Sequence, residues 1–284
     1  MTRQPHVARR AEELLGQAVA ATAPVAGGDI STVTKLRLSS GRSALMKTLT
    51  NAPAGFFESE AAGLRWLGEA GGVGVPDVLA VEADCLILSW VEPGKITIEA
   101  ASELGRALAR THDAGAPSYG LDRDGFIGRL PLPNKPAPTW AEFYAVRRVL
   151  PYLKLARDRD AITAEDAATV EGIIGKLSDL VPEEGPRRLH GDLWNGNVLW
   201  TAEACYVIDP AAHGGHRETD LAMLALFGLS HLPRVLAAYD EASPLADGWE
   251  DRVGIHQLFP LLVHACLFGG GYGPRAAEIA ARFT

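Results

Sequence analysis

The chain has 284 residues, of which 47% are hydrophobic and 22% are charged, so it can build one large or two modest globular cores. Asp and Glu outnumber Lys and Arg by 35 to 27, which gives a net charge of -8, and the sequence has no basic block. This balance excludes a nucleic-acid binder that relies on neutralising phosphates. It suits a cationic small substrate, or it only keeps the protein soluble.

Three cysteines, Cys85, Cys205 and Cys266, lie far apart in apolar runs. An odd count without close spacing argues against a disulfide framework or a zinc site and predicts buried thiols in a reducing compartment. The polar start MTRQPHVARR is not a secretory signal, and no stretch approaches the ~18 consecutive apolar residues that span a bilayer. We therefore expect a cytoplasmic protein without membrane contact, and nothing in the sequence requires more than a monomer.

The first ninety or so residues predict a small, mostly antiparallel sheet with one or two helices. Residues 8–21 have helical spacing, and residues 31–49 alternate as a hairpin around a Ser-Gly turn at 40–41. Residues 57–70 return to helical spacing, and residues 78–91 indicate two strands around an Ala-Asp turn.

After the Glu-Pro-Gly break at 92–94 the pattern becomes helical. The segment 190–210 indicates a loop between short strands, and the segment 115–138 is rich in loop residues. Helical spacing marks the segments 98–114, 140–157, 162–180 and the chain from 218 onward. The sequence thus predicts an α+β fold with two lobes, a sheet-rich N-terminal lobe over 1–92 and a larger helical lobe over 93–284.

The feature with the most chemical content is LHGDLWNGN at 189–197, followed by Ile-Asp-Pro at 208–210. Four residues separate Asp192 from Asn197, a spacing that also occurs in protein-kinase catalytic loops, and Asp209 follows after an apolar strand. Phosphoryl transfer needs a carboxylate to orient and deprotonate a hydroxyl, and oxygen ligands for the Mg²⁺ that bridges the phosphates. A polar turn is the alternative for any one residue, but the combination favours ATP-dependent phosphoryl transfer.

Lys47 interrupts the apolar strand SALMKTL, so its ammonium must reach solvent or bind an anion. Glu60, on the helix that follows, is the candidate partner that orients this lysine, and an unrelated surface glutamate is the alternative.

The motif HGDLWNGN at 190–197 resembles the signature of the fructosamine kinase (ketosamine-3-kinase) family, within the aminoglycoside and choline phosphotransferase group. Other stretches resemble the same family, so the similarity covers nearly the whole chain; they lie at 108–115, 126–140, 208–228, 248–252 and 256–272. The resemblance implies a protein-kinase-like fold with the nucleotide between the lobes. It also implies a kinase that phosphorylates the third-carbon hydroxyl of the sugar in a ketosamine.

The resemblance assigns Asp192 as the catalytic base, Asn197 and Asp209 as Mg²⁺ ligands, and Lys47 as the contact to the α- and β-phosphates of ATP. The resemblance also implies nucleotide contacts for the backbone of a short phosphate loop, Gly27 and Gly28. It implies the same for the backbone of the hinge between the lobes, Ser89, Trp90 and Val91. A Gly-Gly pair is by itself most often a simple turn.

Four further residues receive supporting roles. Trp194, His216 and Glu218 are candidate walls of the acceptor pocket, because an aromatic face and a carboxylate suit a sugar that carries a protonated secondary amine. Asp220 is expected to brace the catalytic loop rather than to contact substrate.

Three alternatives remain at this point. An aminoglycoside, choline or homoserine-type kinase keeps the fold and changes the acceptor. A protein kinase is disfavoured, because the His-Arg-Asp and Ala-Pro-Glu elements are absent and Asp209 is followed by Pro-Ala. A pseudokinase would lack one of the catalytic groups, yet all are present. The sequence leaves the amine part open, as a free amino acid, a small polyamine or a protein lysine.

Overall fold

The computed structural model describes residues 4–26, 30–201 and 204–284. Five antiparallel strands form the N-terminal sheet, in the order β1-β2-β3-β5-β4. The strands are β1 (Val19–Pro24), β2 (Thr32–Leu38), β3 (Ser43–Thr48), β4 (Val78–Glu82) and β5 (Cys85–Ser89). The hairpin predicted over 31–49 and the strand pair predicted over 78–91 are confirmed.

Two helices, α1 (Pro5–Leu15) and α2 (Phe56–Gly68), cover this sheet. One buried cluster joins α1 to strand residues such as Met46, and a second cluster joins α2 to strand residues such as Leu86. Successive side chains of a strand point to opposite faces, and Lys47 pairs with Leu86 in the register of β3 and β5. Lys47 therefore emerges on the face of the sheet that α2 covers.

The helix predicted over 8–21 is wrong in its second half. The helix ends at Leu15, and Gly16 adopts the left-handed conformation (φ 62°) while its N–H donates to the Glu12 carbonyl at 2.9 Å. Glycine takes this conformation at little cost and so ends many helices. The chain then forms β1, whose Ala-rich sequence favours helix but pairs with β2 from Val19 onward.

The rest of the chain is mainly helical. Its helices are α3 (Ile98–Asp113), α4 (Trp140–Phe143), α5 (Leu150–Asp158), α6 (Ala164–Glu171), α7 (Leu177–Leu180), α8 (Glu218–Phe227), α9 (Leu232–Ala242), α10 (Trp249–Phe268) and α11 (Tyr272–Ala280). A π-helical turn, Tyr144–Val149, joins α4 to α5. Hydroxyls of Thr97, Thr139 and Thr163 cap α3, α4 and α6 by accepting backbone N–H bonds. No helix in the described part of the chain is long and apolar enough to cross a membrane.

Three short antiparallel strand pairs carry the loops of this helical part. They are β6 (Gly125–Ile127) with β7 (Leu130–Leu132), β8 (Arg187–Leu189) with β11 (His213–Gly215), and β9 (Val198–Trp200) with β10 (Cys205–Val207). The HGDLWNGN motif is the loop between β8 and β9.

We call α1, α2 and β1–β5 the sheet lobe, and α3–α11 with β6–β11 the helical lobe. The predicted two-lobed α+β fold is confirmed, whereas the boundary at residue 92 remains a prediction.

The β6–β7 hairpin lies in a segment that the sequence indicated only as loop. The Phe126 ring of β6 lies 5.2 Å from the Phe56 ring of α2. At the hairpin turn Gly128 has φ 58°, and a Cβ there would lie 3.0 Å from the Leu267 side chain of α10. The hairpin therefore contacts both lobes.

Candidate active site

Lys47 connects the sheet to the loops of the helical lobe. Its ammonium lies 2.7 Å from Oε1 of Glu60 and 2.8 Å from Oδ1 of Asp209, and the residue is 6% exposed. Burial lowers the pKa of this ammonium, but the two carboxylates outweigh burial and raise the pKa above its ordinary value. The lysine is thus held as a cation between one carboxylate of each lobe. The ion pair with Glu60 is present as the sequence indicated, and its role in phosphate binding remains a prediction.

Asp192 lies at the centre of the loop between β8 and β9. The amide Nδ2 of Asn197 donates to the Asp192 carbonyl at 2.8 Å and to its Oδ2 at 3.3 Å. Burial, and after it the charge of Asp209, raises the pKa of Asp192 to about 7. A general base works best with a pKa near the ambient pH, so this carboxylate suits the removal of a hydroxyl proton.

Backbone contacts bring Asp209 to the same loop. The N–H of Ile208 donates to the Asn197 carbonyl at 3.1 Å, and Nε2 of His190 lies 2.9 Å from the Ile208 carbonyl. Asp209 itself adopts the left-handed conformation with φ 55°. Such strain in a non-glycine residue concentrates at functional sites, where surrounding contacts hold the conformation.

The conformation of Gly191 explains why the position before Asp192 requires glycine. The residue has φ 81°, and a Cβ there would lie 2.2 Å from the Ala211 carbonyl oxygen. That approach allows the loop after β8 to lie against the segment that follows Asp209. The loop between β8 and β9 is therefore in direct backbone contact with the segment that follows Asp209.

The donor set of Asn197 and Asp209 fits a magnesium ion. Because Nδ2 of Asn197 bonds to Asp192, the amide oxygen Oδ1 is the atom left to act as a ligand. The Asp209 side chain is 43% exposed, and Lys47 contacts it at Oδ1. Mg²⁺ prefers such hard oxygen ligands and keeps part of its water shell, so these two residues satisfy its chemistry.

Asp220 of α8 holds the loop at 190–197, which we call the catalytic loop after its predicted role, through both of its oxygens. Oδ2 accepts the N–H of His190 at 2.8 Å, and Oδ1 accepts the N–H of Gly191 at 2.9 Å. Nε2 of His112 lies 3.1 Å from Oδ2, and Nδ1 of the same ring lies 2.7 Å from the Tyr239 hydroxyl. Asp220, His112 and Tyr239 are each at most 1% exposed. We refer to these three side chains as the bracing triad.

Comparison with known proteins agrees with this arrangement. The family described as "Fructosamine kinase" matches residues 3–283. The chain belongs to this family. The "Probable ketoamine kinase" of Enterococcus faecium is 34% identical over 267 residues, which cover 92% of this chain and 94% of that protein. A candidate fructosamine-3-kinase of Thermobifida fusca has a TM-score of 0.93 at 48% identity, covering 98% of this chain and 99% of that chain.

The fold of this fructosamine kinase family member extends to more distant phosphotransferases. A choline kinase of Streptococcus pneumoniae has a TM-score of 0.66 at 14% identity and covers 98% of both chains. A likeness at that identity shows the fold alone. The predicted protein-kinase-like fold and the predicted family are both confirmed, and the chain is a member of a kinase family.

The prediction that His216 and Glu218 line the acceptor pocket needs correction. Both residues are 2% exposed. Glu218 pairs with Arg252 at 2.6 Å and with His256 at 3.2 Å, both from α10. Nε2 of His216 lies 3.3 Å from the Pro182 carbonyl oxygen. Both side chains are thus buried and turned towards the interior, which does not fit the wall of an open pocket. Trp194 is half-buried, with its ring 6.0 Å from the Phe227 ring, and its acceptor role remains a prediction.

The same cluster has the composition of a metal site. Ligand atoms of His216, Glu218 and His256 lie within 4.8 Å of one another. However, Nε2 of His216 bonds to the Pro182 carbonyl at 3.3 Å, and its Nδ1 accepts the Glu218 N–H at 3.3 Å. The Arg252 guanidinium donates to both oxygens of Glu218, at 2.6 and 3.2 Å. Both ring nitrogens of His216 and both oxygens of Glu218 are therefore already engaged, whereas Nε2 of His256 lies 3.2 Å from Oε2 of Glu218 without forming a hydrogen bond. With the Arg252 guanidinium on the only carboxylate, we describe the cluster as an internal ion-pair cluster.

The hinge residues Ser89, Trp90 and Val91 follow the end of β5. The Ser89 N–H donates to the Asp77 carbonyl at 2.8 Å, and the Lys35 ammonium lies 3.8 Å from the centre of the Trp90 ring. These contacts fix the segment that leaves the sheet lobe, and its contact with adenine remains a prediction. Gly27 and Gly28 lie outside the described residues.

Proposed function

We propose that this chain transfers the γ-phosphoryl group of ATP to a sugar hydroxyl of a ketosamine, as a fructosamine- or ribulosamine-type 3-kinase. One observation carries the proposal. In a chain of the fructosamine kinase family, Lys47, Asp192, Asn197 and Asp209 converge where the two lobes meet. The names of the relatives support the acceptor class, and the third-carbon position rests on the family resemblance.

The chemistry follows from the positions of these side chains. Asp192 binds the acceptor hydroxyl and takes its proton as the oxygen attacks the γ-phosphorus. The new bond joins that oxygen to phosphorus, the bond from the γ-phosphorus to the bridging oxygen breaks, and ADP leaves. Lys47 supplies positive charge to the phosphates, and Glu60 keeps the lysine in place. Asn197 and Asp209 would hold Mg²⁺, which neutralises charge on the phosphate oxygens when bound.

Ketosamines phosphorylated on the third carbon are unstable and decompose, so the proposed role is the removal of sugar adducts from amines. The acceptor is a small glycated amine or a protein-bound ketosamine. All catalytic side chains named here come from a single chain, so a monomer suffices. The three cysteines are free and buried, and the proposed location is the cytoplasm.

The test is an acceptor screen with purified protein, ATP and Mg²⁺. The acceptors are the fructose and ribose adducts of Nα-acetyl-lysine. Choline and an aminoglycoside are tested beside them as the alternative acceptors that kinases of this fold could use. We expect ATP consumption and a phosphorylated ketosamine by mass spectrometry. Replacement of the base, Asp192→Asn, should lower kcat by about 10²–10⁴-fold while nucleotide affinity stays within about threefold.

The matched control is Asp122→Asn, which changes an aspartate whose side chain is 83% exposed. This variant should keep wild-type turnover. Phosphorylation of choline or the aminoglycoside but of neither ketosamine would overturn the acceptor class. Full turnover by Asp192→Asn would overturn the assignment of the base.

A further inference from the structure

A cavity of about 680 Å³ lies between α2 and the helical lobe. Its walls come from α2, from parts of the segment 117–136 and from residues 210–212. Lys47, Asp192, Asn197 and Asp209 do not line it, so it is separate from the proposed site of phosphoryl transfer. Its size lies within the range of small-molecule sites in proteins. We call it the α2 cavity.

Asn134 lines this cavity with an amide group that is only half satisfied. The residue is 2% exposed, its backbone N–H donates to Oδ1 of Asp124 at 2.7 Å, and its Oδ1 accepts from Nη2 of Arg148 at 2.6 Å. Because a guanidinium can only donate, the amide oxygen must face Arg148, and Nδ2 is the opposite end of the group. No residue in the described ranges accepts a hydrogen bond from Nδ2.

The space over Gly125 of β6 shows where Nδ2 points. A Cβ on Gly125 would lie 3.8 Å from Nδ2 of Asn134, and 4.0 Å from both Cδ2 of Leu132 and Cβ of Ser59, and no other heavy atom is nearer. All four residues line the α2 cavity. Nδ2 therefore presents its two N–H groups to the cavity, where an acceptor oxygen would satisfy them.

The charge behind Asn134 favours an anionic acceptor. Arg148 is 1% exposed, and its other hydrogen bonds go to the carbonyls of Pro133 and Arg147. No carboxylate in the described part of the chain forms an ion pair with it. Burial lowers the pKa of this guanidinium to about 10, so it still carries its charge at pH 7. Through its bond to Oδ1 that charge polarises the amide and strengthens donation from Nδ2.

The rim of the α2 cavity carries charges of both signs. Asp122 pairs with Arg123 at 3.4 Å, and Asp124 is bonded to a backbone N–H. Arg65 and Glu69, at the C-terminal end of α2, have no ion-pair partner among the residues that the structure describes. One negative charge on a ligand is therefore attracted by Arg65, and a second would meet Glu69. The rest of the lining is largely apolar and includes Trp66, Leu121, Phe126, Leu132, Pro136 and Pro210.

We propose that the α2 cavity is an effector site for a small organic monocarboxylate with an apolar body. The carboxylate accepts from Nδ2 of Asn134, Arg65 adds positive charge at the rim, and the apolar body lies against the apolar lining. A buried amide donor with a cation behind it gives the site its preference for an anion over a neutral or cationic molecule.

The position of the cavity makes its ligand an effector. Glu60, which pairs with Lys47, is carried by α2, and α2 is one wall of the cavity. Pro210, which belongs to another wall, directly follows Asp209, the second partner of Lys47. A ligand that contacts both walls holds the two carboxylates at one spacing around the lysine. This regulatory part rests on the proposed function, whereas binding of the carboxylate does not.

The first experiment measures binding by NMR titration of the full chain with three probes of similar shape: phenylacetate, phenylacetamide and phenethylamine. We expect a Kd of about 1 mM for phenylacetate, as is common for a ligand of ~10 non-hydrogen atoms. The neutral amide should bind about 10-fold more weakly, and the amine should not bind. Equal binding of acid and amide, preference for the amine, or binding of none of the three would overturn the site.

Three variants locate the binding. Asn134→Asp replaces the donor by an acceptor and gives Arg148 a carboxylate partner, so it should fold and weaken phenylacetate binding more than about 10-fold. Arg65→Gln changes an exposed side chain and should weaken binding about threefold. Arg42→Gln is the matched control, because Arg42 is also exposed but does not line the cavity, and it should change nothing. Wild-type affinity in both Asn134→Asp and Arg65→Gln would overturn the site.

The last experiment tests the coupling to the nucleotide. A non-hydrolysable ATP analogue with Mg²⁺ should lower the Kd of phenylacetate about threefold, and phenylacetate should lower the Kd of the analogue by the same factor, because coupling between two sites is reciprocal. Unchanged Kd values would overturn the effector role and leave the kinase proposal intact. Binding of phenylacetate without any phosphorylation of ketosamines would overturn the kinase proposal and leave the carboxylate site intact.

Discussion

Asp220 and Glu218 lie two residues apart on α8, and both carboxylates are buried, yet they contact different parts of the molecule. Asp220 accepts two backbone N–H groups of the catalytic loop and contacts His112. Glu218 pairs with Arg252 and His256 of α10. Positions i and i+2 of a helix face different directions, so two similar side chains reach different neighbours. The comparison shows that the bonding partner, more than the residue type, decides whether a buried carboxylate of α8 holds the loop between β8 and β9 or joins α8 to α10.

The largest effect is expected for Asp220→Asn. The amide keeps the size of the side chain but turns an NH₂ group towards one of the two backbone N–H donors, which loses its acceptor. The catalytic loop then shifts, and a displacement near 1 Å is enough to lower kcat by about 10²-fold. Steady-state kinetics with the ketosamine substrate measure this, alongside a circular-dichroism check of folding. A folded variant with wild-type kcat would show that the bracing triad is not needed for turnover.

Glu218→Gln is the matched change and should act on stability. It removes one partner of a buried ion pair and leaves Arg252 uncompensated, which costs about 3 kcal/mol of unfolding free energy. We expect kcat to remain within about threefold of wild type. Urea unfolding and steady-state kinetics on the same preparation measure both quantities. A large loss of kcat at unchanged stability would return Glu218 to the acceptor pocket that the sequence predicted.

The pH dependence of the unfolding free energy gives a second test of the role of Glu218. Burial alone would raise the pKa of Glu218, but the bonds from His256 and Arg252 outweigh it and lower the pKa to about 2. A carboxylate whose folded-state pKa is depressed contributes stability above its unfolded pKa and loses it as pH falls towards the folded value. The difference in unfolding free energy between wild type and Glu218→Gln should therefore shrink between about pH 4.5 and 2.

The smallest effect is expected for Tyr239→Phe. The variant removes the hydroxyl that contacts His112, which orients Asp220, so we expect kcat to fall about threefold and stability to fall by about 1 kcal/mol. Tyr144→Phe is the control, because the Tyr144 hydroxyl is also buried but donates to the Ile255 carbonyl of α10 at 2.6 Å. The control should lose similar stability and keep kcat. Equal kcat values for the two variants would contradict a positioning role for Tyr239.

The sequence was informative where one short segment carries the chemistry. Asp192 and Asn197 belong to one loop, and Asp209 follows shortly afterwards, so their spacing alone indicated a phosphoryl-transfer site. Lys47 stood out because a charged residue interrupted an apolar strand. The hairpin of β2 and β3 was visible for a similar reason, since alternation and a turn are local signals.

Contacts between distant segments were not visible. His112 and Tyr239 meet across 127 positions, and no local pattern distinguishes them from ordinary core residues. His112 lies in the stretch 108–115 that resembles the family, but nothing in the sequence assigned it a role. Which way Glu218 faces depends on α10, which follows later in the chain. The strand β1 was mistaken for helix because alanine favours helix, while pairing with β2 decided the outcome.

The β6–β7 hairpin is a further connection between the two lobes, besides the hinge and the Lys47–Asp209 ion pair. It is anchored in the helical lobe, where the Tyr152 hydroxyl donates to the Pro131 carbonyl at 2.7 Å, while Phe126 packs on Phe56 of the sheet lobe. Any widening of the gap between the lobes must separate those two phenylalanine rings and expose them to water. Under the proposed function, opening of the lobes to release ADP would have to break this Phe126–Phe56 contact, although neither ring takes part in bond making.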